Sequence, residues 1–268
     1  YAGELVWRDR QRRISEIVDA TAAPDWAQLV PKLVAITLVL AASFAVACVT
    51  GIVFQLCHGY THFELGAYLL WFFVPELISA LLLAALSLFV QVLVPHKAIG
   101  WAVMLVYIVA SVSLEAMGFE HNLYNYASVS PVPLSDMNGL GRFWIARTWF
   151  QVYWLAFALI LSVLAYGLWQ HGAQNGLLPR LRRLGGKLRG RPAWILAGAS
   201  VVWVGTGAFI FWNTNVLNRY VTTPEREKLM AEYEKTLLPF EKQPQPTITD
   251  VKLNVELYPK ATRALTRG

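Results

Sequence analysis

The chain has 268 residues, 56% hydrophobic and only 15% charged, against roughly 25% charged in an ordinary soluble domain. Long blocks carry almost no Lys, Arg, Asp or Glu and the charges collect between them, which excludes a water-soluble globule and marks a polytopic membrane protein. The net charge of +6 does not mark a nucleic-acid binder, because its densest run, six Lys or Arg and no acid in PRLRRLGGKLRGRP (Pro179 to Pro192), lies between two apolar blocks, where attraction to anionic headgroups accounts for it.

YAGELVW, residues 1–7, has the character of the end of an earlier helix, with no initiator Met and no signal-peptide pattern, so the chain is expected to be a piece of a longer polypeptide. RRISEIVDATAAPDW follows. Ile14, Ile17 and Val18 fall at i, i+3 and i+4 and line one side of a short helix, flanked by Glu16 and Asp19. Pro24 restricts Ala23 to extended conformations and is expected to stop that helix, and Trp26 anchors at the interface. Residues 14 to 25 hold three acids and no base. A helix lying in anionic headgroups carries bases along its polar side, so this stretch suits a protein partner better.

A spanning helix needs about 20 apolar residues, and five blocks qualify: Leu29 to Leu56, Leu65 to Val94, Ala98 to Gly118, Thr148 to Gln170 and Ala193 to Trp212. Lys and Arg favour the cytoplasmic side. Placing Pro179 to Pro192 inside puts residues 1–28 and the Pro95-His96-Lys97 turn inside as well. Cys57 to Glu64, Phe119 to Arg147 and everything after Asn213 then lie outside. The second block is long: thirty residues at ~1.5 Å each give ~45 Å against a ~30 Å hydrocarbon core. Pro75 either bends it or separates Leu65 to Val74 as an interfacial piece.

After the fifth block FIFWNTNVLNRY leaves the membrane through Trp212. Thr223-Pro224-Glu225 starts a helix with Leu229, Tyr233, Leu237 and Phe240 on one side, and QPQP (Gln243 to Pro246) is a stiff linker. In TDVKLNVELYP, Val251, Leu253, Val255 and Leu257 alternate strictly with polar residues, a half-buried strand. One strand cannot fold alone, so the tail is expected to open an extracytoplasmic β-containing domain.

Candidate chemistry is sparse. Glu76 and Glu115 lie within or at the edge of apolar spans, where a carboxylate is costly and faces a cavity or partner; they are candidates for a substrate path, against a plainer reading as paired acids facing another helix. CHGYTHFE, with Cys57, His58, His62 and Glu64, and His121 in the other outer loop are weak metal candidates; Gly59 between His58 and His62 favours an interfacial loop instead, and no metal is expected. Asn138-Gly139 and Gly141 in SDMNGLGRF mark a turn. Cys48 and Cys57 lie within or at the end of the first block, so no disulfide framework is expected. The chain has no H-E-x-x-H, no G-x-S-x-G and no phosphate-binding Gly-rich loop, and its five histidines, His171 among them, lie in loops or at helix ends rather than inside spans as haem ligands would. It is not expected to be an enzyme.

GELVWRDRQRRISEIVDATAAPDWAQLVPKLVA resembles the cytoplasmic loop before the third span of type-2 exporter permeases of the ABC transporter superfamily. FVQVLV, EHNLYNY, PLSDMNG, FIFWNTNVLN and PQPTITDVKLNVELYP are similar to segments of large bacterial permeases fused to an aminopeptidase N-like zinc peptidase. The resemblance covers nearly the whole chain; against the complete family pattern the first two permease helices and the peptidase domain beyond its first strand are expected to lie outside it, and the family's Pro directly after D-A-T is displaced, Ala22 and Ala23 coming before Pro24. It implies an all-α fold of about five transmembrane helices with a cytoplasmic coupling helix. Residues 1–28 hold that helix, 29–170 the last four of six permease spans, 171–192 the basic cytoplasmic loop, 193–213 an added span, and 214–268 a linker helix and the start of the peptidase-like domain. Phe119 to Arg147 would occupy the place of outer re-entrant helices. Arg13, Ile14, Glu16, Ile17, Val18, Asp19, Ala20, Thr21 and Pro24 would contact an ABC ATP-binding subunit, which holds the ATP; this chain needs no cofactor and takes no nucleic acid. The implied setting is a homodimer or pseudo-dimer of permeases among the lipids of a bacterial inner membrane. The function is coupling of ATP hydrolysis to substrate export, the alternative being a membrane tether for the peptidase. Cysteine labelling from outside the cell is expected to modify Ser128→Cys and spare Arg183→Cys; the reverse pattern inverts the topology.

Overall fold

The computed structural model describes residues 1–21, 24–133, 135, 137, 139, 141–169, 176–244, 247–261 and 263–268, apart from the side chains of Glu16, Asp19 and Asp25. The Ala22-Ala23 step, Asn138, the end of the fourth block at Gln170, His171, and Gln245 and Pro246 of the linker lie outside the described residues. Two compact units form, Tyr1–Thr222 and Thr223–Gly268.

In the first unit, α1 (Ala2–Gln11) and α2 (Ser15–Asp19) precede α3 (Asp25–Cys57), α4 (Leu65–Leu93), α5 (Lys97–Ala116), α6 (Phe143–Gly167), α7 (Leu177–Lys187) and α8 (Arg191–Val216). The helices α3, α4, α5, α6 and α8 are long and apolar enough to cross a membrane. They match the five blocks, with α3 starting at Asp25 rather than Leu29 and α6 at Phe143 rather than Thr148. The basic run after α6 is not a plain loop: most of it is α7, an amphipathic helix.

Pro75 neither breaks α4 nor detaches its first part. Residues Tyr68–Phe73 form a π-helical turn, with Val74 N–H bonded to Leu69 O. That wider register absorbs the amide Pro75 lacks and puts Pro75 at the start of the α-helical part. Ser79 Oγ then donates to Pro75 O at 3.1 Å.

α4 and α6 are the centre of the bundle. Leu82 and Ala85 of α4, Phe150, Tyr153, Trp154 and Ala158 of α6 and Ile210 of α8 make one buried cluster. A second lies nearer the Arg-rich end, from Leu29, Leu88, Val92, Ala165, Leu168 and Trp169. The outer helices keep apolar residues exposed, among them Leu38 and Val46 on α3, Leu105 and Val106 on α5, and Val201 on α8. A bare apolar belt of this kind is unfavourable in water and at home in hydrocarbon.

Between α5 and α6 the expected re-entrant helices are absent: the described residues of 117–142 form turns and a single bridge between Ser135 and Gly139. The segment nevertheless dips into the bundle. Trp154 Nε1 donates to Asn122 O at 3.2 Å and Ser128 O at 3.0 Å, Tyr153 OH donates to Leu123 O at 3.1 Å, and Tyr107 OH to Tyr126 O at 3.1 Å. Tyr126 OH in turn donates to Leu82 O at 2.8 Å, near the middle of α4. Irregular backbone at that depth persists only where protein groups satisfy its carbonyls, and three aromatic side chains from the spans do so here. Among the described residues of SDMNGLGRF, Ser135 and Gly139 pair, with Gly139 at φ 60° lying against Trp71 of the π-helical turn. Ser128 Oγ is held by Asn122, so exposed Tyr124 is the more accessible labelling position.

The second unit holds α9 (Thr223–Leu237) and a hairpin of β1 (Asn254–Tyr258) and β2 (Arg263–Arg267), antiparallel with Val255 opposite Thr266 and Leu257 opposite Ala264. Two expectations change. Residues after Tyr258 supply a second strand, and pairing starts only at Asn254, leaving Val251 and Leu253 outside it. The Val255–Leu257 side is the exposed one; the partly covered pair is Glu256 and Leu265, because two strands alone bring nothing to lie on the apolar face. The apolar residues of α9 and its 3₁₀ extension, Leu229, Tyr233, Leu237 and Phe240, are likewise exposed.

Trp154→Phe keeps the ring and removes the indole N–H, leaving two carbonyls short of a donor. Stability in detergent is expected to fall by roughly 1–3 kcal/mol, read as a lower midpoint of thermal unfolding.

Candidate functional site

The residues singled out between Arg13 and Pro24 sit at the Arg-rich end of the first unit, and α1 holds them there. Its sequence AGELVWRDRQ places Ala2, Gly3 and Trp7 on its buried side. Trp7 Nε1 donates to Gln91 Oε1 of α4 at 3.0 Å, a buried bond. Gly100 leaves the room that Gln91 needs, since a Cβ there would run into its amide, and a Cβ at Gly3 would strike the Trp101 indole and crowd Gln91. On the outer side of α1, Asp9 pairs with Lys32 of α3 at 3.1 Å and Glu4 with Lys97 of α5 at 2.9 Å. One short helix is thereby fastened to three spans.

The end of α1 then sets the direction of α2. Arg13 N–H bonds Arg10 O and Ile14 N–H bonds Asp9 O, the paired closure of a helix C-terminus whose next residue is left-handed. That residue is Arg13, at φ 56°, where glycine is the usual occupant and another side chain costs on the order of 1 kcal/mol. α2 begins two residues later. Ile14, just before it, and its own Ile17 and Val18 do not share one buried face. Val18 is half-buried and lines a cavity of about 30 Å³ with Val6, Trp7, Gln28 and Gln91. Ile17 is 69% exposed and Ile14 38%. The helix ends at Asp19, with Thr21 Oγ1 and N–H both donating to Val18 O. The stop expected at Pro24 therefore belongs to Thr21, while Pro24, at φ −69° and ψ 147°, directly precedes α3. Ala20 and Thr21 are exposed.

Beneath this segment, Arg180 of α7 is a buried guanidinium. Nη1 donates to Val92 O at 2.7 Å and Leu168 O at 3.1 Å, and Nη2 to Leu93 O at 3.1 Å, so a single cation satisfies the end carbonyls of both central helices. Burial, with Arg10 as the lesser cause, lowers its pKa from the ordinary 12.5. Trp169 Nε1 donates to Gln28 Oε1 at 2.8 Å and carries Lys32 Nζ over its ring at 4.9 Å. Trp7, Gln91 and Arg180 were not singled out from the sequence. Gln91 is the lone amide in an apolar run, which is a signal; Arg180 is one of six bases in its stretch and has none.

The acids and histidines of the spans and opposite loops do not assemble. Glu76 lies 3.8 Å from Arg147 on α6, the paired-acid arrangement, and Glu115 is exposed on the last turn of α5. His121 is buried. Leu123 N–H donates to its Nδ1 at 3.1 Å, and Nε2 lies 3.2 Å from Thr214 Oγ1, so both nitrogens are engaged, and desolvation lowers its pKa from 6.5. His58 Nδ1 lies 3.0 Å from Phe54 O, and His62 lines a separate groove with Tyr60, Glu64 and Tyr68. Among the described residues no three of His, Cys, Asp and Glu come together as a metal site.

Comparison with protein-family models, with curated proteins and with solved structures finds no match to this chain. The arrangement at the Arg-rich end therefore stands on its own geometry: a short segment with Ser15 and Val18 turned inward, Ile14 and Ile17 turned outward, and a mount that touches α3, α4 and α5.

Arg180→Gln keeps a donor but loses the charge and the forked reach. It is expected to cost about 2–3 kcal/mol and to expose the ends of α4 and α6 to protease earlier than in the parent protein.

Proposed function

We propose that this chain is membrane permease material of an ATP-driven exporter of the ABC type, with α2 receiving the motion of a partner ATPase. The observation that carries the reading is the division of labour in α2 and the residue before it: Val18 turns into the bundle while Ile14 and Ile17 stand out from it. An exposed Ile on a five-residue helix stabilises nothing within the chain, but an apolar knob is what a partner's pocket takes up. The mount supports the same reading. A push on α2 reaches α1 through the Arg13 turn, α3 through Asp9–Lys32, α4 through Trp7–Gln91 and α5 through Glu4–Lys97. The five apolar helices supply the membrane part, and the resemblance in the 3–35 stretch supplies the class of partner. In this reading the Arg-rich end is cytoplasmic, and two copies or two homologous halves enclose the export path, whose cargo Glu76 and Arg147 would meet from the opposite end.

Ile17→Arg tests it. The side chain is exposed, so folding and membrane insertion are expected to be unchanged. A charge buried against the ATPase should weaken co-purification at least about tenfold, with a matching loss of permease-stimulated ATP hydrolysis. Unchanged assembly and unchanged stimulated hydrolysis would sink the coupling role and leave the tether reading in its place.

A further inference from the structure

A groove on the first unit has no part in coupling. It lies between α3, α6 and α8 at the Arg-rich end, with a volume of about 440 Å³, inside the range of roughly 300–1,000 Å³ typical of ligand pockets. Leu29 and Val163 are its buried floor, and Val30, Leu159 and Ile195 its exposed walls. The Ser162 hydroxyl is turned back to Ala158 O at 2.8 Å, so it offers nothing to a polar ligand. The mouth differs. Arg191 lines it as the first residue of α8, where the helix dipole is positive. Exposed Arg189 precedes it, and among the described residues neither guanidinium has an ion-pair partner. Trp26 at the groove and Trp194 one turn into α8 are exposed, as tryptophans at a membrane–water boundary are.

We propose that this groove binds one anionic phospholipid of the surrounding bilayer, an acyl chain lying on Leu29 and Val163 and the phosphate held by Arg191 and Arg189. The chemistry of the two parts selects the occupant. Hydrocarbon suits the walls, and an anion suits the mouth. An apolar helix from a second copy or another protein would fill the same walls but bury Arg191 without a counter-charge, which is costly. The proposal needs only that the apolar helices lie in a bilayer, so it stands or falls separately from the coupling role.

Native mass spectrometry of the purified protein tests it, with phosphatidylglycerol and phosphatidylcholine of matched chains added in equal amounts. The expected result is one retained phosphatidylglycerol, preferred over phosphatidylcholine by about fivefold or more. Arg189→Gln with Arg191→Gln should abolish that preference. Ile195→Trp, which fills the groove, should displace either lipid without changing the unfolding midpoint. Arg182→Gln with Arg183→Gln, outside the groove, should leave the preference intact. Equal retention of both lipids, a preference that follows Arg182 and Arg183 instead, phosphatidylglycerol still retained by Ile195→Trp, or cross-linking of Ile195→Cys to a protein chain would each overturn the site.

Discussion

A backbone carbonyl inside an apolar bundle has no water to turn to, and the organisation of this protein follows from where such carbonyls find donors. Two places need them. At the Arg-rich end the central helices α4 and α6 stop side by side, and their carbonyls at Val92, Leu93 and Leu168 converge on Arg180. Between α5 and α6 the irregular segment around Asn122–Ser128 dips inward, and its carbonyls are met by Trp154, Tyr153 and Tyr107. In both cases a side chain from one element closes the backbone of another, so the elements cannot separate without exposing unpaired carbonyls.

The same economy explains the arrangement of α1 and α2. A charged helix ending in RDRQ has no reason to enter a bundle except through its other face. Trp7 and the Gly3 gap provide that face, and Asp9 and Glu4 tie the charged side to Lys32, two turns into α3, and Lys97 at the start of α5. Arg13 in a left-handed conformation then redirects the chain, so that among the described side chains of α2 Ser15 and Val18 lie against the bundle. Backbone strain at a residue that adjoins an outward-facing apolar pair is the kind of local cost found at contact sites. In the proposed exporter, that turn is where a partner's motion would be converted into displacement of α1 and the spans it holds.

The positions of the five long helices were legible in the residues, because exclusion of charge over twenty or more positions is a one-dimensional property that no packing detail alters. Pro75 marked trouble in the second span, yet two outcomes stayed open; a π-helical turn settled it, since the wider register depends on which neighbours brace the helix. The strand at Asn254–Tyr258 was visible in its alternation, but in the hairpin its apolar face is exposed. Alternation identifies two faces, while burial depends on what lies against them, and the partner is a single strand with Leu265 opposite Glu256. Ile14, Ile17 and Val18 shared a face by spacing; the structure splits them because the Arg13 turn sets the roll of α2.

By itself, then, the sequence determined the number of apolar helices, their limits within a few residues, the basic character of one end, and the short charged helix before the first span. Tertiary structure decided which of many equivalent bases is buried, that Gln91 is the anchor for Trp7, that Glu76 faces Arg147 rather than standing alone, and that the loop before α6 enters the bundle as turns instead of helices. The reason is common to all four. Composition and periodicity report what a residue is and which side of its own element it occupies, whereas a carbonyl, a carboxylate or an indole N–H takes its partner from another element, brought near only when the helices pack.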